Sequence, residues 1–349
     1  MMRLPLFSFR APRTLAEAAS ILDGEGGNAM PLAGGTDLLP NMKRRQQVPR
    51  TLMSLRHVEG LSQIQLAPSA SRLGACLTLA AIAADPRFRN GLTALAQAAA
   101  QVATPQIRNM ATLGGNLCLD TRCNYYDQSY EWRKAINFCL KKDGDTCWVA
   151  PGSSKCMAVS STDTAPALIA LGARVRLVSR SEEREVSLAD FYNNDGMNYI
   201  KRRPDEILAE VLLDSLHGWK STYWKLRRRG SFDFPVLSVA AAVRLSRSGV
   251  VEDARIVIGS AACRPLIAAE AAKSLVGHPL NNETIAQASA FAARIAKPLD
   301  NTDFDMSWRK KVTAEFVMYA LRELRGDDVR AERESVTRYP FGDDFIAIQ

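Results

Sequence analysis

Cys123, Cys139, Cys147 and Cys156 fall within 34 residues, at separations of 16, 8 and 9, while the other three of the seven cysteines are scattered. With no histidine among them they form a candidate all-thiolate site, which suits an iron–sulfur cluster or tetrahedral zinc. Zinc sites show close C-x2–4-C pairs and this segment has none, so ligand type and spacing favour a cluster, with structural zinc and buried free thiols as the alternatives. Six aromatics accompany the thiols, Tyr125, Tyr126, Tyr130, Trp132, Phe138 and Trp148, and read as packing for a short loop. Cys118 reads as part of a strand. It is assigned with Cys76 and Cys263 to packing, since free cysteine often behaves as a small buried hydrophobe.

Two further segments could do chemistry by their backbone. Ala33-Gly34-Gly35-Thr36-Asp37 and Thr112-Leu113-Gly114-Gly115-Asn116 each pair glycines, whose missing Cβ atoms let successive N–H groups close on a pyrophosphate, with Thr36, Thr112 and Asn116 adding side-chain hydrogen bonds. Taken singly, each also reads as an ordinary turn. Gly24 to Ala29 fits G-x-G-x-x-A on paper. It follows a helix and precedes a strand, the reverse of a dinucleotide turn, and is set aside.

The elements that must position these residues are readable from period and caps. Thr14 and Glu17 make a capping box opening a helix to about Leu22, and Met30 to Ala33 reads as a strand running into the first glycine pair. A strand at Thr51 to Leu55 and alanine-rich helices after Thr78 and from Leu92 to Val102 continue an alternation of strands and helices to about residue 215. Strands at Thr222 to Arg227, Val236 to Leu245 and Ala254 to Ile258, with a hairpin turn at Ser248-Gly249, then predict an antiparallel sheet. Helices follow at Leu266 to Leu275, Glu283 to Ile295 and Trp308 to Leu324, the last with a core stripe through Val312, Phe316, Met318 and Tyr319. The tail after Arg325 is charged and poorly patterned, as expected of a segment that wraps on a partner or stays mobile.

With 349 residues, 47% of them apolar, the chain is long enough for two or three domains. The net charge of +8 is spread out, and the triplets Lys43-Arg44-Arg45, Lys201-Arg202-Arg203 and Arg227-Arg228-Arg229 read as solvated surface, not a nucleic-acid stripe. Neither a signal peptide nor a membrane span is apparent, so a cytoplasmic protein is expected, in which grouped cysteines bind metal or carry redox chemistry instead of pairing. Three dispersed histidines, with no G-x-S-x-G and no H-E-x-x-H, weaken hydrolase and zinc-protease readings.

The order of Ala33 to Leu38, then Pro105 to Asn116, then Asp163 to Ala173 resembles the FAD-binding (medium) subunits of the xanthine dehydrogenase and carbon monoxide dehydrogenase family of molybdenum hydroxylases. The resemblance covers nearly the whole chain. It implies an α+β chain with an FAD-binding fold of the vanillyl-alcohol oxidase/PCMH type in two subdomains, residues 1–56 and 57–217. A C-terminal antiparallel sheet with helices over 218–326, similar to the CO dehydrogenase flavoprotein C-terminal domain, and a tail over 327–349 complete it. It also implies flavin binding by Leu32, Ala33, Gly34, Gly35, Thr36 and Asp37 and by Thr112, Leu113, Gly114, Gly115 and Asn116. Val102 is expected against the flavin, Asn124 and Asp163 near the cofactor and Lys225 near the flavin system.

The insertion over 119–159 is absent from the simpler members and resembles the loop of the 4-hydroxybenzoyl-CoA reductase beta-subunit family, which holds a 4Fe-4S cluster beside FAD. That implies cluster ligation by Cys123, Cys139, Cys147 and Cys156. It implies electron flow from ferredoxin through 4Fe-4S and FAD to 2Fe-2S centres of a small partner and to molybdopterin in a large one, in a hetero-oligomer read as a dimer of heterotrimers. No catalytic residue is expected on this chain. An oxidative hydroxylase complex draining electrons outward is the alternative, and a zinc-stapled nucleic-acid-binding or scaffold protein the alternative of another class. Lys141 and Lys142, beside Cys139, are expected to form a basic face for an acidic ferredoxin.

Overall fold

The computed structural model describes residues 3–338. Strands β1 (Ser8–Arg10), β2 (Ala29–Leu32) and β3 (Thr51–Ser54) form a parallel sheet in the order β1-β3-β2. Parallel neighbours need a crossover, and the helix Leu15–Glu25 is part of the connection from β1 to β2. Its capping box forms as expected, Glu17 N donating to Thr14 Oγ1 at 3.2 Å and Thr14 N to Glu17 Oε2 at 3.4 Å. Ala18, Ala19 and Leu22 are its buried face, packed in one core with Met53 and Leu55. The set-aside motif at Gly24 to Ala29 is a helix end, a 3-10 turn and the start of β2.

The next sheet is antiparallel, with β4 (Ile64–Leu66), β5 (Ala70–Gly74), β6 (Arg174–Val178), β7 (Glu183–Ser187) and β8 (Ile207–Asp214) in the order β4-β5-β8-β6-β7. The alanine-rich helices Leu79–Ala84 and Thr93–Gln101 share its core. Between the helices Leu113–Leu117 and Thr164–Ala170 the chain makes the cysteine segment, whose one helix is Tyr130–Ala135. Its base is closed by paired backbone bonds, Arg122 N to Val159 O at 2.8 Å and Val159 N to Arg122 O at 2.7 Å. Two side chains tie it to the flank of the first sheet. Gln46 Nε2 donates to Tyr126 O at 2.6 Å, and the fully buried Arg133 donates from Nη2 to Arg44 O at 2.7 Å.

The C-terminal sheet is antiparallel, with β9 (Trp219–Leu226), β10 (Leu237–Leu245), β11 (Val251–Gly259) and β12 (Leu266–Ile267) in the order β12-β11-β10-β9. Successive side chains alternate between two cores. Trp224, Val239, Ala241, Val243, Ile256 and Ile258 pack with the helices Ala269–Leu275, Asn282–Ile295 and Met306–Arg325. Tyr223, Ala240, Ala242 and Val257 join the central core. With both faces buried the strands read as nearly continuous apolar runs, which is why they were legible. Three expectations change. Leu266 pairs with Ile258 as β12, so the helix starts at Ala269. Of the stripe, Val312 and Phe316 are buried while Met318 and Tyr319 are partly so. The tail is structured through Arg330–Arg338, a helix that returns Arg333 to Glu323 at 2.6 Å and over the Trp224 ring at 4.2 Å; residues 339–349 lie outside the described residues. Among the described residues no helix is long and apolar enough to cross a membrane.

Candidate functional site

A cavity of about 480 Å³ opens where the two glycine loops meet, a size ordinary for a cofactor or small-ligand site. The first loop closes on the stretch leading into the second, because a Cβ on Gly34 would overlap Met110 O, and the second packs on the end of β5, where a Cβ on Gly114 would lie 2.7 Å from Ala75 Cβ and 3.0 Å from Ala75 O. Those two glycines let the backbones approach. Gly35 sits at φ 71°, where glycine is favoured. Gly115 differs, since a Cβ there would meet, within 4 Å, just Thr112 Oγ1 at 2.9 Å. That oxygen caps the helix Leu113–Leu117 by accepting from Gly115 N at 3.1 Å. The second glycine pair thus lies inside a short helix instead of a loop running into a strand, and Cys118 is the helix's C-cap residue and lines the pocket.

Leu32, Ala33, Gly34, Gly35, Thr36, Asp37, Val102, Thr112, Gly114, Gly115, Asn116, Asn124 and Asp163 all line this cavity. Leu113 is fully buried in the central core and is not among the lining residues. Lys225 also stands behind the wall, its Nζ 3.1 Å from Asp163 Oδ2 and 3.0 Å from Gln101 O. Tyr223 donates to the other Asp163 oxygen at 2.6 Å. Burial pushes the Asp163 carboxyl up and the Lys225 ammonium down, and each charge opposes the other's shift. Asn116 is a staple as well as a lining residue, its Oδ1 accepting from Thr164 N at 3.0 Å and from the Thr162 and Thr164 hydroxyls at 2.8 and 2.7 Å.

Sequence reasoning missed several lining residues, among them Arg44, Arg122, Tyr199, Arg202 and Phe234. Arg44 and Arg202 belong to triplets read as solvated, and Arg227 of the third is buried, donating from Nη1 to Gln101 O at 2.9 Å. The triplets were the available signal. Arg122 pairs with Asp37, reaches Asp127 Oδ1 at 3.0 Å and lies 4.6 Å over the Phe234 ring.

The four grouped cysteines, each buried, line one small second cavity with Tyr125, Tyr126, Lys141 and Trp148. They arrive from four separate stretches of backbone. Asn137, Phe138 and Asp143 all have φ near +60° around Cys139, and Gly144 is required there because a Cβ would stand 2.8 Å from Cys139 N. Lys142 N and Gly144 N both donate to Cys139 O, at 2.9 and 3.1 Å. Ala158 N points at Cys156 Sγ at 3.4 Å. Burial pushes Cys123 up to about 12 and Cys156 up to about 11, so without a bound cation these thiols stay protonated. Among the described residues no three His, Cys, Asp or Glu side chains are grouped so as to hold a metal ion. The four thiols border one small cavity, and Cys123 lines both it and the large pocket. The expected basic face is not formed as predicted, because Lys141 turns inward with its side chain 5% exposed.

A glycine-lined pocket between an N-terminal α/β region and a C-terminal antiparallel sheet with helices defines a flavoprotein-type cofactor domain. Residues 5–213 match the family described as FAD binding domain in molybdopterin dehydrogenase, and residues 221–324 match the CO dehydrogenase flavoprotein C-terminal domain. The chain belongs to the FAD-binding medium-subunit family of molybdenum hydroxylases. It is 33% identical over 269 residues to the aldehyde oxidoreductase FAD-binding subunit of Escherichia coli, covering 74% of this chain and 82% of that one. It is 28% identical over 325 residues to the carbon monoxide dehydrogenase medium chain of Afipia carboxidovorans, covering 91% and 96%. A solved carbon monoxide dehydrogenase from Hydrogenophaga pseudoflava superposes with a TM-score of 0.77 at 25% identity, covering 93% of this chain and 99% of that one.

Proposed function

We propose that this chain is an electron-relay subunit in which FAD occupies the glycine-lined pocket and a 4Fe-4S cluster is held by Cys123, Cys139, Cys147 and Cys156. The observation that supports the reading is Cys123, which borders both cavities, so that a cluster held there would lie beside a flavin in the pocket. FAD exchanges electrons singly or in pairs and a 4Fe-4S cluster one at a time, so together they would match one-electron to two-electron partners. The chain's own residues bind and insulate. Gly34 lets the first loop close on Met110, Gly114 seats the second pair on Ala75, Gly115 leaves room in the pocket, and Asp163, fixed by Lys225 and Tyr223, presents an acceptor at its wall. Four thiols lining one small cavity, with no histidine among them, support a cluster, and the absence of close cysteine pairs in the sequence favours it over zinc.

The reading includes a 4-hydroxybenzoyl-CoA reductase-like role, with a ferredoxin donor and with partners that are a small 2Fe-2S subunit and a large molybdopterin subunit, in a dimer of heterotrimers. What favours the opposite direction, an oxidative hydroxylase draining electrons outward, is that related chains are named as subunits of dehydrogenases of nicotinate and carbon monoxide. Iron and sulfide analysis of the purified complex, with its visible spectrum, tests the cofactors. Near four irons per chain beyond those of the small subunit is expected, and flavin alone would overturn the cluster. Assay of the same complex with aryl-CoA thioesters and reduced ferredoxin, against oxidisable heterocycles with an electron acceptor, decides the direction.

A further inference from the structure

Lys141 is a cation buried in the wall between the two cavities. Its Nζ lies 2.6 Å from Asp120 Oδ1, 2.5 Å from Thr121 Oγ1 and 2.7 Å from Gly196 O, so each ammonium proton has an oxygen acceptor. The Tyr126 and Tyr199 rings flank it, with centroids at 4.7 and 5.3 Å. Asp120 is equally enclosed, its side chain 4% exposed, and its second oxygen accepts from Tyr126 Oη at 2.9 Å. The pair has a direction. Lys141 lines the thiol cavity and Asp120 does not, whereas Asp120 lines the flavin pocket and Lys141 does not.

We propose that the Lys141–Asp120 pair is a fixed dipole setting the electrical bias between the two redox centres, its positive end toward the four thiols and its negative end toward the flavin. The proposal rests on the cluster reading above. Reduction adds negative charge, which a nearby buried cation stabilises and a nearby buried anion opposes, and in a poorly solvated wall neither charge is screened as at the surface. The positive end therefore raises the potential of the group at the thiols, and the negative end lowers that of the flavin. Both act through charge alone, with no proton moved.

Anaerobic potentiometric titration of the intact complex, following the cluster by electron paramagnetic resonance and the flavin by absorbance, reads both ends. Lys141→Met should make the cluster at least tenfold harder to reduce, roughly 59 mV for one electron, with a smaller shift at the flavin. Asp120→Asn should raise the potentials, most at the flavin, and Lys141→Arg should stay near the parent. Lys142→Met, removing a half-exposed cation paired with Asp143 at 3.2 Å, should move neither. Unchanged potentials in Lys141→Met with full iron and sulfide would overturn the dipole. If Lys141→Met loses its cluster, Asp120→Asn decides, and an unmoved flavin potential there overturns it equally. A parent protein without chain-bound iron would instead sink the cluster reading, while the flavin shift in Asp120→Asn still tests the dipole.

Discussion

The flavin pocket and the thiol cavity are neighbours built in opposite ways. Loops from the N-terminal and C-terminal regions, with β2, β8 and the helix Leu113–Leu117, wall the pocket, and contacts such as Gly114 N to Ala75 O at 2.8 Å pin its second glycine pair. The cysteine segment has one helix of 6 residues, Tyr130–Ala135, and a small core of Cys123, Tyr126, Cys139, Cys156 and Ala158. A loop whose small core is three cysteines, a tyrosine and an alanine has little packing of its own, and small metal-stapled units in general depend on what their thiols hold.

The largest expected effect breaks the two apart. Alanine at Cys139 or Cys147 should abolish chain-bound cluster iron while flavin content stays near the parent, and Cys156→Ala should do the same. Cys123→Ala should lose the iron and also perturb the flavin spectrum, because that residue borders both cavities. Alanine at Cys76, Cys118 or Cys263 should leave iron in place. Iron retained in Cys139→Ala, or lost in Cys118→Ala, would show that the ligand set is wrong.

Within the pocket, two adjacent glycines should separate fold from cofactor. A side chain at Gly114 meets the backbone of Ala75, so Gly114→Val should destabilise the chain by about 1–3 kcal/mol or more, as overpacking does. Gly115→Val meets Thr112 Oγ1 and open pocket, so it should cost little more than that helix cap, about 1 kcal/mol, yet purify with little flavin and normal iron. Flavin titration and thermal melts of both variants check this. A flavin-replete Gly115→Val would remove that loop from the cofactor's path.

A loss of stability at least as large, with the pocket's glycines untouched, should come from the pair behind it. Lys225→Met leaves Asp163 in a wall where its partner carried the opposing charge, and breaking such a buried pair costs about 3–5 kcal/mol. Adding Asp163→Asn should recover part of that loss, since a neutral amide needs no counter-charge. Chemical denaturation of the two single variants and the double variant measures the coupling. Strict additivity would mean that the 3.1 Å contact contributes nothing.

Much of this was legible because it depends on local rules. The Thr14 and Glu17 cap, the glycine pairs and the continuous apolar runs of β10 and β11 are each set by backbone geometry and burial within a few residues. The gathering of Cys123, Cys139, Cys147 and Cys156 was legible from density in sequence. What escaped was set across long separations. Arg44 and Arg202 look solvated in their triplets, and they become pocket walls because β2, β3 and β8 bring distant loops together. Cys118 reads as a strand residue until Thr112 caps a helix before it. Lys141 reads as surface, and it is Asp120, 21 residues earlier, that draws it inside.

That inward turn changes what salt should do. Of the six cations in the cysteine segment, Arg122 and Arg133 are buried and Lys141 is engaged with Asp120, leaving Lys134, Lys142 and Lys155 toward solvent. Glu131, Asp143 and Asp145 are exposed beside them, and Lys142 is already paired with Asp143. Exposed charge on the segment therefore balances, and steering needs a net field that reaches beyond the contact. Raising ionic strength from about 0.01 M to about 1 M shortens the Debye length from roughly 30 Å to roughly 3 Å, which strips away any such field. Steered association changes by factors of about 10 to 1,000 under that treatment. The rate at which a reduced, acidic ferredoxin delivers electrons to the cysteine segment should instead change less than about threefold, and Lys142→Glu should leave it nearly the same at every salt concentration. A steep fall with salt that Lys142→Glu removes would restore a docking face over the thiols; a steep fall that survives Lys142→Glu, Lys134→Glu and Lys155→Glu would move the donor to another surface of the complex.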